Sequence, residues 1–383
     1  MNPVAILGIM IVAASAEDWR VPPIALPKTL KHPVIAATPE ELSRLRAALK
    51  AAGPAHDAVA GVVRQADAAL ANPIAFPPRG GQHNQWYQCD KCQLALKTLD
   101  DTHHECPRCK TVYSGEPYDD VVYEHQHYAN IRNASNAAWA YALTGEKRYA
   151  DFAAKVLLGY AERYLQYPYH SASRSPSPWT IISGGRLFEQ TLNEAASLAS
   201  DIAPACDLIW DALSDADRAA IRDGLLIPML KNMDKHKAGK GNWQTWHNAG
   251  MIAGGAVLGD LAWVEKAIAQ PHNGFVEQMK VSVSDEGMWY ENSWGYHFYT
   301  LHAMTSSPST PAAWALTCGA TPRFARCTPC PSTTRCPTAH CPAGATTCTP
   351  RPAAPAGSWS TRTRPPRTLI SCPSSRSPPP GNP

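Results

Sequence analysis

The composition of the chain changes abruptly at Ser306, and this change limits what can fold. The 78 residues from there to the end contain eight Arg but no Lys, Asp or Glu, with 17 of the chain's 35 prolines and seven of its 12 cysteines. Such a segment cannot bury enough apolar surface to form a core, and its prolines interrupt helices and strands alike. The sequence therefore predicts a folded part that ends near residue 305 and a disordered, low-complexity tail over 306–383.

Codon chemistry suggests an origin for this tail. All but six of its 78 residues are types whose codons carry C or G at the middle base. In a GC-rich gene, C and G concentrate at the third codon base, and a shift of the reading frame would move that base to the middle. We hypothesise that the frame is broken near Thr305, so that the tail cysteines form neither a disulfide framework nor a metal site. Resequencing of the locus tests this.

The net charge of +3 does not describe the predicted folded part. Residues 1–305 contain 27 basic and 32 acidic side chains, a net of −5. The basic balance belongs to the tail, and it gives no argument for nucleic acid binding.

The N-terminus predicts export. An apolar run ends in Ala14-Ser15-Ala16, the small-x-small pattern that precedes signal peptide cleavage. The run is too short to cross a bilayer, and no later segment looks transmembrane. It lacks Lys or Arg before the apolar stretch, so a buried first helix or strand is the alternative. We expect a signal peptide over 1–16, no membrane span, and a periplasmic or secreted protein.

Residues 17–305 have a helical pattern almost throughout. Thr38-Pro39-Glu40-Glu41 is a capping box with proline at the first helical position, and Gly53-Pro54 ends the helix that follows. Antiparallel helix pairs with short links favour an all-α array or toroid, and the strand-rich runs of an α/β fold are absent from the sequence. Further helices are predicted over 55–71, 124–143, 147–165, 186–212, 215–235, 242–258, 261–281 and 292–304.

Four cysteines predict an inserted zinc ribbon at 85–118. They are spaced C-x2-C-x13-C-x2-C, which can place four thiolates around one zinc ion. Two disulfides are the alternative in an exported chain, although a Cys-x-x-Cys loop is tight for a structural disulfide. Four protein ligands leave no open position, so the zinc would be structural. The ligands are Cys89, Cys92, Cys106 and Cys109.

Two short segments concentrate side chains that bind sugars and move protons. G-N-W-Q-T-W-H-N-A-G-M spans 241–251, and D-E-G-M-W-Y-E-N-S-W-G-Y-H-F-Y spans 285–299. This mixture of Asn, His, Tyr and Trp is costly in a plain core, because every buried polar atom needs a partner. Asn242 as a helix cap, His247 as a satisfied core histidine and the tryptophans as core residues are the structural alternatives. Together the two segments favour a sugar-binding cleft.

These segments, with G-G-R-L-F-E-Q-T-L-N-E-A over 184–195, resemble the heparinase II/III-like and alginate lyase group of polysaccharide lyases. The resemblance covers about residues 85–305 and implies an incomplete (α/α) toroid followed by a β-sandwich, which is missing here. It also implies β-elimination at a uronic acid: a base removes the C5 proton, the C4–O bond breaks, and an unsaturated sugar is left. The family draws further catalytic groups from the β-sandwich, so its loss would leave an inactive product.

The resemblance also implies roles for individual residues. Asn242 would neutralise the substrate carboxylate, Tyr296 would act as base and acid, and His247 would be a second neutraliser or base. Some relatives have a histidine directly after the asparagine, where this chain has Trp243. The expected substrate-binding residues are Arg186 and Gln190 for a neighbouring uronate, and Trp243, Trp246 and Trp294 for the sugar faces. His297 and Tyr299 are expected to face the same groove.

Two other functions remain open from the sequence. A glycoside hydrolase on a similar toroid would need two carboxylates about 5–10 Å apart. A non-catalytic protein that binds acidic polysaccharides would keep the cleft without the chemistry. The sequence does not choose among alginate, heparan sulfate, hyaluronan and other uronate polymers. The carboxylates available for a hydrolase are Glu189, Glu194, Asp285, Glu286 and Glu291.

Overall fold

A computed structural model describes residues 30–173 and 183–306. The predicted signal peptide and the tail beyond Ser306 lie outside these residues. Within them, no helix combines the length and the hydropathy needed to cross a membrane.

The described residues are mostly helical, as predicted. Single π turns at Leu198–Ile202 and Arg222–Leu226 continue one helix into the next. The helices are α1 (Pro39–Lys50), α2 (Pro54–Leu70), α3 (Tyr118–Thr144), α4 (Lys147–Arg163), α5 (Thr191–Ser197), α6 (Ala203–Ile209), α7 (Asp215–Ile221), α8 (Ile227–Lys235), α9 (Asn242–Leu258), α10 (Leu261–Ala269), α11 (Phe275–Ser282) and α12 (Trp294–Ser306).

Three predicted helices differ from those observed: α3 begins six residues earlier than predicted, and two others differ in extent or are divided. The helix predicted over 186–212 begins only at Thr191, because the backbone N–H groups of Arg186 and Leu187 donate to the Glu194 carboxylate in a turn before the helix. The helix predicted over 261–281 is divided into α10 and α11. Pro271, between them, has no N–H to continue the helix, and Gly274 packs so closely that a Cβ there would lie 2.6 Å from the carbonyl oxygen of Ile268.

Helix α9 is the central helix of the core. It is buried on nearly every face, and it packs against α5, α8, α10 and α12. Its glycines permit this close approach: a Cβ at Gly250 would lie 2.9 Å from the sulfur of Met233, and one at Gly254 would lie 3.0 Å from Leu230. The sequence signal for this burial is a helix without a polar stripe. The first residues of α9 carry the first of the two chemical segments.

The start of the described chain is fastened to α6 by one carboxylate. Asp207 is fully buried and accepts hydrogen bonds from the backbone N–H groups of Val34, Ile35 and Ala36 at 2.7–2.8 Å. The Nδ1 atom of His32 lies 2.7 Å from the same carboxylate. Four donors therefore satisfy one buried acid across about 170 residues of chain.

A small antiparallel sheet lies between α2 and α3, inside the predicted ribbon. Its strands β1 (Lys97–Asp100), β2 (His103–Glu105) and β3 (Val112–Tyr113) pair in the order β1-β2-β3.

Buried polar contacts join this sheet to the first turn of α3. In β2, Nε2 of His104 lies 3.0 Å from the Asp119 carboxylate, while Nδ1 lies 2.7 Å from the hydroxyl of Tyr87. The hydroxyl of Tyr118 donates to Asp90, between the first two cysteines. The start of α3 is therefore held by the cysteine-bearing insert.

Candidate functional site

Asn242 connects the two chemical segments. It is the first residue of α9 and is 5% exposed, and its Nδ2 group donates to both carboxylate oxygens of Glu291, at 3.1 and 3.0 Å. The indole N–H of Trp289 donates to the same carboxylate at 2.5 Å. The cap position of α9 belongs to Gly241, so the amide of Asn242 is not used as a helix cap. The site therefore contains an amide that already binds a carboxylate.

His247 lies one turn further along α9 and is completely buried. Neither ring nitrogen has a hydrogen-bond partner among the described residues. Burial lowers the pKa of His247 to about 3, and the neighbouring His236 adds to this effect. The imidazole is therefore neutral near pH 7 and supplies no positive charge.

Helix α12 carries a row of exposed aromatic side chains. Trp294 is 68% exposed and stacks against Phe298, with ring centroids 5.9 Å apart. Tyr296 is 50% exposed, and its neighbour Tyr299 packs its ring 5.2 Å from Trp246 of α9. Burial, followed by the nearby Tyr296, raises the pKa of Tyr299 to about 12. Tyr296 and Trp294 are the accessible members of the predicted site.

Other predicted sugar-binding residues lie in the core. Trp246 is 2% exposed, and Trp243 is half-buried against the main hydrophobic cluster. His297 is also buried, and its Nδ1 atom accepts from the backbone N–H of Trp289 at 3.3 Å. The structure brings these three residues beside Asn242 and Tyr299, but it gives their rings little accessible face.

Arg186 and Gln190 lie in the turn before α5. The guanidinium of Arg186 donates to the backbone carbonyls of Tyr167 and Leu165, so it holds one chain segment to another. Gln190 precedes α5, and its carbonyl accepts from the N–H groups that start the helix.

A buried pair of acids lies under this turn. Glu189 is fully buried and Glu124 nearly so, and one oxygen of each carboxyl group has no donor among the described residues. Burial raises the pKa of Glu124 well above its usual range, and the adjacent Glu189 raises it further. The raised pKa favours a protonated Glu124, whose hydroxyl can donate to Glu189. Asn193 donates to the other oxygen of Glu189 at 3.1 Å.

A cavity of about 650 Å³ lies between the ribbon, the start of α3 and the segment before residue 174. The Arg79 guanidinium and the Asp120 carboxylate form an ion pair on its wall. Tyr169 lines it and stacks on His236, with the Tyr169 hydroxyl 3.2 Å from Nε2 of that ring. His236 in turn lies near His247 of α9. Tyr169 and His236 therefore lie between the cavity and His247.

The four predicted metal ligands meet in one cluster. Their sulfur atoms all lie within 4.8 Å of one another, and the Cys89 and Cys109 sulfurs are 3.6 Å apart. Four thiolates about 2.3 Å from a zinc ion would be about 3.8 Å apart, so the cluster fits such an ion. The two Cys-x-x-Cys loops have matching backbones, with Gln93 and Lys110 each in the left-handed region directly after the second cysteine.

Sequence comparison identifies the family. The sequence model of one protein family, described as alginate lyase, matches residues 71–309. This span covers more than half of the chain and contains α3 to α12. The chain belongs to the alginate lyase family.

Two curated relatives support membership of the alginate lyase family. The chain is 32% identical over 188 residues to an exo-oligoalginate lyase of Saccharophagus degradans, covering 47% of this chain and 24% of that protein. It is 33% identical over 187 residues to an alginate lyase of Stenotrophomonas maltophilia, covering 46% of this chain and 24% of the relative. The chain thus spans about a quarter of the length of the curated relatives it matches.

A solved alginate lyase structure shares the fold. An alginate lyase from Bacteroides ovatus aligns with a TM-score of 0.50 at 13% sequence identity, over 72% of this chain and 75% of that one. Alginate lyase A1-III from Sphingomonas species A1 aligns with a TM-score of 0.41 at 14% identity, over 72% of this chain and 71% of that chain.

Several pairs of buried or half-buried charged residues had no sequence signal. Glu124 pairs with Glu189, and Arg79 with Asp120, across separations that no local spacing indicates. Of the acids considered for a hydrolase, Glu194 accepts from Tyr164, Asn232 and two backbone N–H groups, and Glu189 lies directly beside Glu124. Neither of these two is free to serve as one of a pair of hydrolytic carboxylates.

Proposed function

We propose that this chain is a polysaccharide lyase that cleaves a uronate polymer by β-elimination. Alginate is the first substrate to test, because the two curated relatives are named as an exo-oligoalginate lyase and an alginate lyase. The helical domain is then an incomplete (α/α) toroid, and the protein is exported through the segment at 1–16.

The observation that carries this proposal is the carboxylate bound by Asn242. The C5 proton of a uronate is weakly acidic while the adjacent carboxylate is charged, so a donor must stabilise the negative charge that develops there. The Nδ2 group of Asn242 donates to a carboxylate already, that of Glu291, at 3.0 and 3.1 Å. A substrate carboxylate that took the place of Glu291 would receive the same hydrogen bonds.

Tyr296 is the residue of this site that best suits proton transfer. Its ring is half-exposed on α12, whereas Tyr299 is more buried and has a raised pKa. As base, Tyr296 removes the C5 proton, and as acid it returns a proton to the leaving C4 oxygen. Buried His247 is neutral, so we assign it a hydrogen-bonding role, while Asn242 stabilises the substrate carboxylate by donating to it.

We also propose that the four-cysteine cluster binds zinc. The fit of the four sulfurs to a tetrahedral ion supports this, and the closed ligand set makes the site structural. When bound, zinc would hold Cys89, Cys92, Cys106 and Cys109 together. Proton transfer would be carried out by α9 and α12.

The test is a panel of uronate polymers assayed with the full chain. Elimination creates a C4–C5 double bond conjugated to the carboxylate, and its ultraviolet absorbance grows during the reaction, whereas hydrolysis leaves no such product. We expect Tyr296→Phe to abolish turnover, and Asn242→Ala to lower kcat by about 10²–10³, as loss of one preorganised donor does. Asn136→Ala, at a half-buried amide on α3 that donates to Gln65, is the control for loss of an amide.

Two outcomes oppose the proposal. A reducing end formed without the absorbing product would indicate a hydrolase. Uronate binding that survives in Tyr296→Phe, with no turnover in either protein, would indicate a binding protein. Thermal unfolding of each variant distinguishes loss of chemistry from loss of fold.

A further inference from the structure

Two neutral donors from different parts of the fold meet on one carboxylate. Nδ2 of Asn242, at the start of α9, lies 3.1 and 3.0 Å from the two oxygens of Glu291. The indole nitrogen of Trp289, in the segment between α11 and α12, donates to Oε2 of the same group at 2.5 Å. The reaction proposed above uses the amide, whereas it gives the indole no role.

Both donors are held in place by their surroundings. Trp289 is 2% exposed and packs in an apolar cluster with side chains of α11 and α12. Its backbone N–H donates to Nδ1 of His297, and its backbone pairs with that of Val283. Asn242 is 5% exposed at the start of the central helix. Donors whose positions are fixed before binding lose little entropy when a carboxylate arrives.

Glu291 is held less firmly than its two donors. Its side chain is half-buried, and among the described residues it forms no hydrogen bond to any other group and no ion pair. The backbone beside it is fixed, since Tyr290 donates through its N–H to Ser282 and through its hydroxyl to Lys240. Rotation of the Glu291 side chain towards water would therefore free both donors without moving the chain and without breaking an ion pair.

A substrate carboxylate and Glu291 exclude each other from these donors. Two carboxylates on one pair of neutral donors would bring like charges close together, and no cation pairs with Glu291 to offset their repulsion. Glu291 must therefore leave before a uronate carboxylate can bind there. The affinity for the uronate is then reduced by the fraction of molecules in which Glu291 occupies the donors.

We propose that Asn242 and Trp289 together form the carboxylate site and that Glu291 fills it in the free protein as an internal ligand. The proposal rests on the proposed lyase function, because the uronate carboxylate is the ligand that replaces Glu291. Trp289 then becomes a second substrate donor beside Asn242, at the group on which negative charge develops. Glu291 weakens the binding of every uronate, and it satisfies both donors while no substrate is present.

The first test removes the internal ligand. Glu291→Gln keeps the size of the side chain, but its amide nitrogen cannot accept a hydrogen bond from Asn242 or Trp289. Calorimetric titration with D-mannuronate, a monosaccharide with no bond to cleave, should give a Kd about tenfold lower than that of the wild type, as expected if about a tenth of the free protein has the donors open. KM on alginate should fall in the same direction, while kcat stays within about twofold.

Two further variants support this measurement. Glu291→Ala also removes the carboxylate and should lower Kd in the same way, so it replaces Glu291→Gln if the glutamine variant does not fold. Glu277→Gln, at another half-buried carboxylate on α11, is the control for loss of one negative charge. Its Kd should stay within about twofold of the wild-type value.

The second test removes the indole donor. Trp289→Phe keeps an aromatic ring in the apolar cluster but lacks the N–H. In the wild type this change would weaken the internal ligand and the substrate together, so it is measured in the Glu291→Gln background. We expect Kd for D-mannuronate to rise about tenfold, the effect of one lost hydrogen bond to a charged group. Trp263→Phe on α10, in the same background, is the control, and thermal unfolding checks that each variant folds.

Three results would overturn the proposal or part of it. A higher KM or a lower kcat in Glu291→Gln would show that the carboxylate positions Asn242 during the reaction and is not displaced. An unchanged Kd in Glu291→Gln would show that Glu291 does not compete with the uronate. Equal affinities with and without the indole N–H, in the Glu291→Gln background, would remove Trp289 from the site.

Binding of D-mannuronate separates this proposal from the proposed function. If no polymer yields the unsaturated product, the lyase function fails, while tighter binding by Glu291→Gln would still support the carboxylate site. If the wild type forms the product and Glu291→Gln changes neither KM nor Kd, the lyase function stands and the internal ligand fails.

Discussion

At the scale of single residues, His247 sets a limit on the chemistry of the site. It is enclosed on every side, and burial lowers its pKa to about 3. A protonated imidazole would leave an uncompensated charge in the core, which costs several kcal/mol. The ring therefore stays neutral near pH 7, and in the reaction proposed above the stabilisation of a substrate carboxylate would depend on hydrogen-bond donors such as Asn242.

The enclosed imidazole predicts a pH-dependent loss of stability. The unfolded chain takes up a proton at His247 below a pKa of about 6.5, whereas the folded chain does so only near 3. Stability is therefore lost as pH falls from about 6.5 towards 3, with roughly 2 kcal/mol of this loss between pH 6.5 and 5. Urea unfolding of wild type and His247→Gln at several pH values measures the difference.

The difference in stability between wild type and His247→Gln should shrink as pH falls. His272→Gln, on the surface, should follow the wild type throughout. Parallel pH profiles for wild type and His247→Gln would show that the imidazole takes up its proton equally well in the folded chain.

At the scale of elements, glycine has opposite effects in two helical segments. Gly224 lies in the π turn between α7 and α8, and a Cβ there would meet the backbone carbonyl of Ala161 in α4. Gly61 lies in α2, where the nearest atom to an added Cβ is the end of the Arg64 side chain at 3.7 Å. One glycine is required by packing, and the other only weakens its helix.

This contrast predicts opposite signs for the same substitution. Gly61→Ala should raise the free energy of unfolding by about 0.5–1 kcal/mol through helix propensity. Gly224→Ala should lower it by about 1–3 kcal/mol, because backbone must move to admit the methyl group. Urea unfolding measures both. Stabilisation by Gly224→Ala would mean that α4 and the π turn are not in contact as described.

The cysteine insert predicts one bound zinc ion per chain. Elemental analysis of the purified protein should find it, and Cys89→Ser or Cys106→Ser should remove it. Loss of zinc should also loosen the start of α3, which hydrogen exchange at the amides of 118–122 detects. Cys206→Ala, at the lone buried thiol of α6, should keep the metal. Full zinc content after Cys106→Ser would exclude a four-thiolate site.

The sequence predicted the elements better than their ends. Periodicity and capping residues placed α1, α2, α4 and α9 within about two residues, because caps and apolar faces are local. The turn before α5 was missed, since its N–H groups bind a side chain eight residues away and not a local cap. The start of α3 was placed six residues late, because its first turn docks on the ribbon through contacts that are not local.

At the scale of the whole molecule, Asp207 joins the first described residues to α6. Asp207→Asn would replace an oxygen that accepts N–H groups by an amide that donates, and it should lower the free energy of unfolding by about 3 kcal/mol. Asp211→Asn, at an exposed position nearby, should cost little. Equal midpoints in urea for the two variants would show that the N-terminal segment contributes nothing to global stability.

Only part of the candidate site was predictable from the chain. The family segments suggested Asn242, His247 and Tyr296 as site residues, which stays a prediction, and they gave no sign of the Glu291 carboxylate that Asn242 binds. Residue type alone favoured Trp246 as a side chain that stacks on a sugar. Its position on α9 places the ring in the core instead. The cavity beside the ribbon depends on three distant segments, so no sequence pattern could have indicated it.

The acid pair of Glu124 and Glu189 has a consequence for the molecule as a whole. Burial and the adjacent Glu189 raise the pKa of Glu124, so the folded chain holds a hydrogen ion on this pair at pH values where the unfolded chain has released it. Unfolding releases this proton, so raising the pH should shift the equilibrium towards the unfolded chain. In a weakly buffered solution, melting of this protein should therefore acidify its surroundings.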